Sequence, residues 1–143
     1  MSAAVGRQVL LDTGVIVALL DRSERHHRRA AEVVAQLDAT LVTCEAVIAE
    51  ACYLLRSVRG APEAVLENVE RGVFQLPLRL ASESAAIRAL MKKYRSVSMD
   101  LADACLVRLA EITPAHRILT LDRDFDVYRW NRTRKFERLI DLD

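Results

Sequence analysis

Five short apolar runs punctuate a chain whose intervening stretches carry helical periodicity, and that alternation narrows the possible folds more than any other feature. The runs are Gln8 to Leu11, Thr40 to Thr43, Phe74 to Leu78, Ile118 to Leu121 and Phe136 to Ile140. Each has the length of a buried strand. Between them, helices are expected over Val15 to Leu20, from Ser23 to about Leu37, over Glu45 to Arg59, from Pro62 to Gly72, over Ser84 to Tyr94 and over Met99 to Glu111. Pro62 suits the first turn of its helix, Gly72 a helix end, and Pro77 an edge strand. Strands alternating with helices pair in parallel through right-handed crossovers. The expected fold is therefore an α/β three-layer sandwich, a central parallel sheet of about five strands flanked by helices.

With 143 residues, 52% of them hydrophobic, there is material for one core and no room for two, so residues 1–143 are read as one domain. Neither a linker nor an internal repeat divides them. The 21 Lys and Arg against 20 Asp and Glu remove any whole-chain argument for a polyanionic partner. A local one survives, because Arg123, Arg129, Arg132, Arg134, Lys135 and Arg138 make the C-terminal stretch basic. Tyr128 and Trp130 lie among these cations, where they either stack on bases or pack at a protein interface.

Cys44, Cys52 and Cys105 show neither paired nor zinc-like spacing and read as small core residues. No apolar run approaches the roughly 20 residues that span a bilayer. The segment MSAAVGRQVLLD has too short an apolar stretch for a signal peptide. A cytoplasmic protein with no membrane contact is the expectation.

Two of the runs end in an acid, Asp12 and Asp122, and a parallel sheet places both beyond the carboxyl ends of its strands, where ligands bind. Taken singly, each is as well explained by capping the helix that follows. Their company changes the balance. Asp100 and Asp103 stand at i and i+3 in the apolar segment MDLADACLV, and Glu50 interrupts VIAEACYLL. Carboxylates set in apolar segments need a partner, a proton or a cation. If these acids converge, a hard divalent ion such as Mg²⁺ or Mn²⁺ relieves their repulsion, with waters completing the shell. Such a site suits phosphodiester hydrolysis. Glu45, in a first helical turn, is explained by the helix dipole. His26 and His27 read as a solvated helix start, and His116 as structural.

The segments LLDTGVIVALLD, TCEAVIAEACYLLR, SMDLADACLVRLAE and RILTLDRDF resemble, in order, the acidic motifs of PIN-domain ribonucleases, in particular the VapC-type toxins of toxin–antitoxin pairs. The resemblance implies metal-binding and catalytic roles for Asp12, Glu50, Asp103 and Asp122, with Thr13 as a hydroxyl beside the first acid and a substrate contact. Asp124 matches an additional acid of some members. Asp100 either joins the metal shell or caps the start of its helix. The implied activity is Mg²⁺- or Mn²⁺-dependent endonucleolytic cleavage of single-stranded RNA. The implied partners are the RNA, a cognate antitoxin protein and a second copy of the chain in a homodimer.

Two other readings compete. A phosphatase with Asp12 as covalent nucleophile usually wants a second Asp two positions on, where this chain has Gly14. A catalytically silent binding module of the same fold has no reason to keep every acid.

Overall fold

The computed structural model describes residues 7–141, so the reading of residues 1–6 as part of a leaderless N-terminus lies outside the described residues. Along the chain run β1 (Gln8–Leu11), α1 (Thr13–Leu20), α2 (His27–Gln36), β2 (Thr40–Val42), α3 (Glu45–Leu54), α4 (Ala61–Glu70), β3 (Phe74–Gln75), α5 (Leu80–Lys93) and α6 (Leu101–Ile112). A 3₁₀ turn at Arg95–Val97 joins the last two. Then come β4 (Arg117–Leu119), a 3₁₀ turn at Arg123–Asp126, β5 (Arg129–Trp130), β6 (Arg134–Lys135) and β7 (Glu137–Arg138).

Five strands form one parallel sheet in the order β3-β2-β1-β4-β7, flanked by helices as expected. β1 is the middle strand, and Val9, Leu10 and Leu11 are wholly buried in it. The chain leaves β1 toward β2 and β3 on one side and later returns to β4 on the other. The seam between β1 and β4 is therefore the switch point of the topology, where diverging connections open a crevice. No helix among the described residues is long and apolar enough to cross a membrane.

Local chemistry explains where the elements depart from the apolar pattern. The second helix starts at His27 rather than Ser23, because the Asp21 side chain accepts from both the backbone N–H (3.0 Å) and the hydroxyl (2.7 Å) of Ser23 and holds a turn. α3 stops at Leu54 rather than Arg59. Bonds of the i to i+3 kind from Val58 N–H to Leu55 O and from Ala61 N–H to Val58 O tighten the chain there, and Gly60 takes φ +79°, open to glycine without strain. α5 begins four residues earlier than expected, at Leu80, and the Ser84 hydroxyl is accommodated inside it by donating back to Leu80 O at 2.6 Å. β3 is an edge strand and ends before Pro77, which has no N–H to offer a ladder.

The antiparallel pair β5–β6 was not expected from the pattern at all. It stands in the basic C-terminal stretch, and its residues are too few and too polar to show a strand period. Trp130 anchors it: the indole stacks on His116 with centroids 3.6 Å apart, and its Nε1–H donates to Lys135 O at 3.1 Å. His116 in turn lies 3.0 Å, through Nε2, from Ala110 O, the structural role expected of it. Cys44 and Cys105 are buried and Cys52 half-buried, all free.

Leu10 is enclosed on every side, whereas Leu66 on α4 is 56% exposed. Leu10→Ala is expected to cost about 3 kcal/mol of unfolding free energy and Leu66→Ala under about 0.5 kcal/mol, read by urea denaturation. Equal losses at the two positions would contradict the placement of the core.

Candidate functional site

Asp12 is the first residue past β1, and its backbone N–H still donates to Leu119 O on β4 at 3.0 Å, so the two central strands fix its position. It is also the N-cap of α1: Oδ1 accepts from Thr13 N–H at 2.8 Å. Oδ2 accepts from the buried hydroxyl of Thr120 at 2.6 Å. The Thr120 oxygen itself accepts from Asp122 N–H at 3.0 Å, so one threonine links the first acid to the backbone of the last. Its contact with Asp12 and Asp122 also explains why β4 ends at Leu119, short of Leu121. The backbone turns out of the ladder where this side chain is used.

Glu50 reaches the same place from α3, with Oε1 accepting from the Thr13 hydroxyl at 2.8 Å. Asp103 arrives on the first turn of α6. There, Asp100 is the N-cap, its Oδ1 accepting from Asp103 N–H at 2.9 Å, which realises the helix-capping alternative for this residue. Asp103 Oδ2 accepts from the Tyr128 hydroxyl at 3.0 Å. Among the described residues every buried side-chain oxygen and nitrogen has such a partner.

Asp12, Thr13, Glu50, Asp100, Asp103 and Asp122 line one cavity of about 560 Å³, whose wall also includes Gly14 and Arg123. Asp124 is not in this wall. It lies beside it, donating its backbone N–H to Asp122 Oδ1 at 2.9 Å. The burial of the acids is graded. Asp12 and Asp103 are 7% and 9% exposed, Asp122 and Asp124 are half-buried, and Glu50 and Asp100 are exposed. For Glu50 the apolar sequence context therefore overstated burial, because the residue stands on the open side of α3.

That gradient has an electrostatic consequence. Burial, partly offset by the Thr120 and Thr13 hydrogen bonds and reinforced by Asp122 and Glu50, pushes the Asp12 carboxyl up to about 6. Burial together with repulsion from Asp100 pushes Asp103 up to about 7, against the Tyr128 hydrogen bond, with Asp12 and Asp122 adding to the rise. Asp124 is raised by its own partial burial and by Asp122. Tyr128 is raised too, first by burial and then by the Asp103 charge, so its hydroxyl remains a donor.

Among the described residues no three acids close on a point as a preformed metal cage. They ring a cavity instead. The donor set is all oxygen, with neither histidine nor cysteine in the wall. Such a set, with room for water, fits a hard divalent cation and disfavours zinc.

Two functional side chains, Thr120 and Tyr128, do not stand out in the sequence as parts of the site. The signal for Thr120 is a polar residue inside the run Ile118-Leu119-Thr120-Leu121, two positions before the acid it serves. Tyr128 and Trp130 are buried core residues rather than base-stacking or interface groups. Tyr128 is held edge-on between Tyr94 (5.1 Å) and Phe125 (5.0 Å), and this pins its hydroxyl on Asp103.

The two raised carboxyls give the ion-free protein a distinct pH response. In chelator, between their unfolded value of 3.8 and their folded values near 6 and 7, the folded chain keeps protons that the unfolded chain has released. Their contribution is complete below about pH 4 and is lost as pH rises through 7. Asp103→Asn can still accept from Tyr128. It is expected to raise the melting temperature at pH 8 by a few degrees and to flatten the fall between pH 5 and pH 8. An unchanged slope in thermal melts would remove Asp103 from this account.

Residues 9–131 match the PIN domain family. Ribonuclease VapC26 of Mycobacterium tuberculosis strain H37Rv is 32% identical over 117 residues, covering 80% of this chain and 87% of that protein. The crystal structure of Mycobacterium tuberculosis VapC20, described as a sarcin-ricin loop cleaving toxin, superposes with a TM-score of 0.78 over 88% of this chain and 98% of that one. At 18% identity that second likeness speaks for the fold alone. The extent of the family match and the identity to a ribonuclease over most of both chains make this chain a member of the PIN domain family.

Proposed function

We propose that this protein is a divalent-metal-dependent endoribonuclease that cleaves single-stranded RNA, acting as the toxin of a toxin–antitoxin pair in the cytoplasm. The observation that carries the reading is the convergence of Asp12, Glu50, Asp103 and Asp122, from four separate segments, on one cavity at the β1–β4 switch point.

Asp12, Glu50, Asp103 and Asp122 are the residues that would hold Mg²⁺ or Mn²⁺, with Asp100 and Asp124 as outer members of the set. A bound divalent ion supplies positive charge to the phosphodiester and lowers the pKa of water. The chain's own groups prepare for this. Thr13 N–H and the Thr120 hydroxyl each occupy one Asp12 oxygen, which fixes the carboxylate plane without rotamer freedom. Tyr128 does the same for one oxygen of Asp103 and leaves the other free to turn toward the cavity. The Thr13 hydroxyl orients Glu50. Preorganisation of this kind avoids reorganisation during the reaction.

The toxin reading brings with it a cognate antitoxin and a second copy of the chain. Tyr53 and Leu54 on α3 and Leu66 on α4 are 62%, 48% and 56% exposed, and they offer apolar surface that a protein partner would cover. Leu54 also stands in the wall of the acidic cavity, so a partner seated there would approach the acids.

Purified protein with Mg²⁺ or Mn²⁺ is expected to cut a single-stranded RNA internally, to lose that activity in EDTA and to regain it when the ion is restored. Asp12→Asn is expected to lower the rate by about 100-fold or more, since the ion it helps hold supplies several kcal/mol of transition-state stabilisation. RNA cleavage that persists in chelator would refute the proposal. Turnover of phosphate monoesters with intact RNA would favour the phosphatase alternative.

A further inference from the structure

The acidic cavity has a basic neighbour. A second cavity of about 530 Å³ opens between the C-terminal half of α5 and the turn after it, with Arg88, Lys92, Arg95, Ser98 and Met99 in its wall. Asp100 belongs to the walls of both cavities, so the two adjoin. Arg88 and Lys92 are one turn apart on α5 and Arg95 follows three residues later in the 3₁₀ turn, so the three cations track one side of the helix. All three are exposed.

Like charges at this spacing repel one another and weaken a helix. Ion pairs engage other arginines, Arg7, Arg71, Arg108 and Arg138 among them, and among the described residues none joins the three to an acid. The helix dipole accounts for cations in the last turn, where Lys92 and Lys93 stand, but Arg88 lies a turn earlier and Arg95 beyond the end. Ser98, in the wall of the same cavity, holds φ +59°, a left-handed conformation that is uncommon for a residue with a side chain.

Three cations of the basic stretch nearer the C-terminus are used differently. The Arg129 guanidinium donates to three backbone carbonyls, at Asp126, Val127 and Tyr128. Arg138 binds the Asp126 carboxylate through two nitrogens, and Arg134 lies over the Trp130 ring. These cations are building the C-terminal structure.

A cavity with five carboxylates in its wall against Arg123 repels a polyanion, so cations around it are needed to hold one. We infer that Arg88, Lys92 and Arg95 form the track for the RNA backbone, taking the phosphates on one side of the bond that is cut. The inference rests on the endoribonuclease reading and adds to it the face of the molecule that the substrate crosses. Two of the three are arginines, whose planar fork suits paired bonds to phosphate oxygens.

The test compares the full chain with two triple variants of equal charge change: Arg88→Gln/Lys92→Gln/Arg95→Gln, and Arg22→Gln/Arg25→Gln/Arg28→Gln, whose residues lie past the C-terminal end of α1, away from the acids at its start. Cleavage of a single-stranded RNA is measured in Mg²⁺ as a function of substrate and of salt. The first triple is expected to raise KM about tenfold and leave kcat within about threefold, because positioning contacts away from the reacting atoms are lost. In an Asp12→Asn background, the slope of log binding constant against log salt should become shallower by roughly 2, at about 0.7 per phosphate contact on a single strand. The second triple should change neither. Removing like charges from an exposed helix face should keep the melting temperature at or above that of the parent. If it drops, Lys92→Gln alone, with about a third of the slope change, decides the matter. Unchanged KM and slope in the first triple overturn the track and leave the stripe for another partner, such as an acidic protein segment. Equal losses in both triples also overturn it, as a mere net-charge effect. If the parent protein does not cut RNA with either ion, the endoribonuclease reading fails and takes the track with it.

Discussion

A carboxylate buried at the end of the central strand is the constraint around which the rest is arranged. Asp12 is held there by the β1–β4 ladder, and burial makes its charge expensive. Its two oxygens are therefore committed to donors from two directions, a helix start and the end of the neighbouring strand. The cost left over appears as a pKa near 6. Nothing about an isolated cap requires this, since an exposed Asp caps a helix as well. An acid placed where capping is costly is the physical signature of a group kept for something besides capping.

The other acids are arranged with decreasing burial outward from Asp12. Asp103 repeats the pattern with a tyrosine donor, and Glu50 and Asp100 stand in solvent at the rim. A site graded in this way combines two demands that conflict at any single carboxylate. The inner acids are fixed by buried donors and pushed toward their protonated forms, and the outer ones stand open to solvent and to an incoming ion. The basic α5 stripe completes the field, with opposite signs meeting at Asp100.

How much of this was legible in the sequence depended on the range of the interaction involved. The parallel sheet was legible because burial of both faces leaves apolar runs, and the acids at Asp12, Glu50, Asp103 and Asp122 were legible because charge stands out against that background. Element ends were not, since Asp21, Ser84 and Gly60 act through single local bonds or dihedrals that leave no periodic trace. Thr120 and Tyr128 stayed hidden for a different reason. Each works through a partner distant in the chain, and neither residue type is unusual where it stands. Of the C-terminal cations whose density marks a basic patch in the sequence, Arg129 and Arg138 have their guanidinium groups engaged with their own chain, a use that density alone does not reveal.

The aromatic wedge at Tyr128 explains why the segment after the 3₁₀ turn at Arg123–Asp126 belongs to the site although it supplies no acid to the cavity wall. Phe125, Tyr128 and Tyr94 pack edge to face, and Phe125 also meets Phe136 at 5.5 Å just ahead of β7. Arg129 N–H donates to the Tyr94 hydroxyl at 3.0 Å, so the rings are tied at both ends of the contact. Tyr94 closes α5, the helix that carries the basic stripe, and Tyr128 touches Asp103. One cluster of rings thus fixes the spacing between the cations of α5 and an inner acid. A displaced wedge would move the two charged surfaces relative to each other while leaving every acid and every arginine in place.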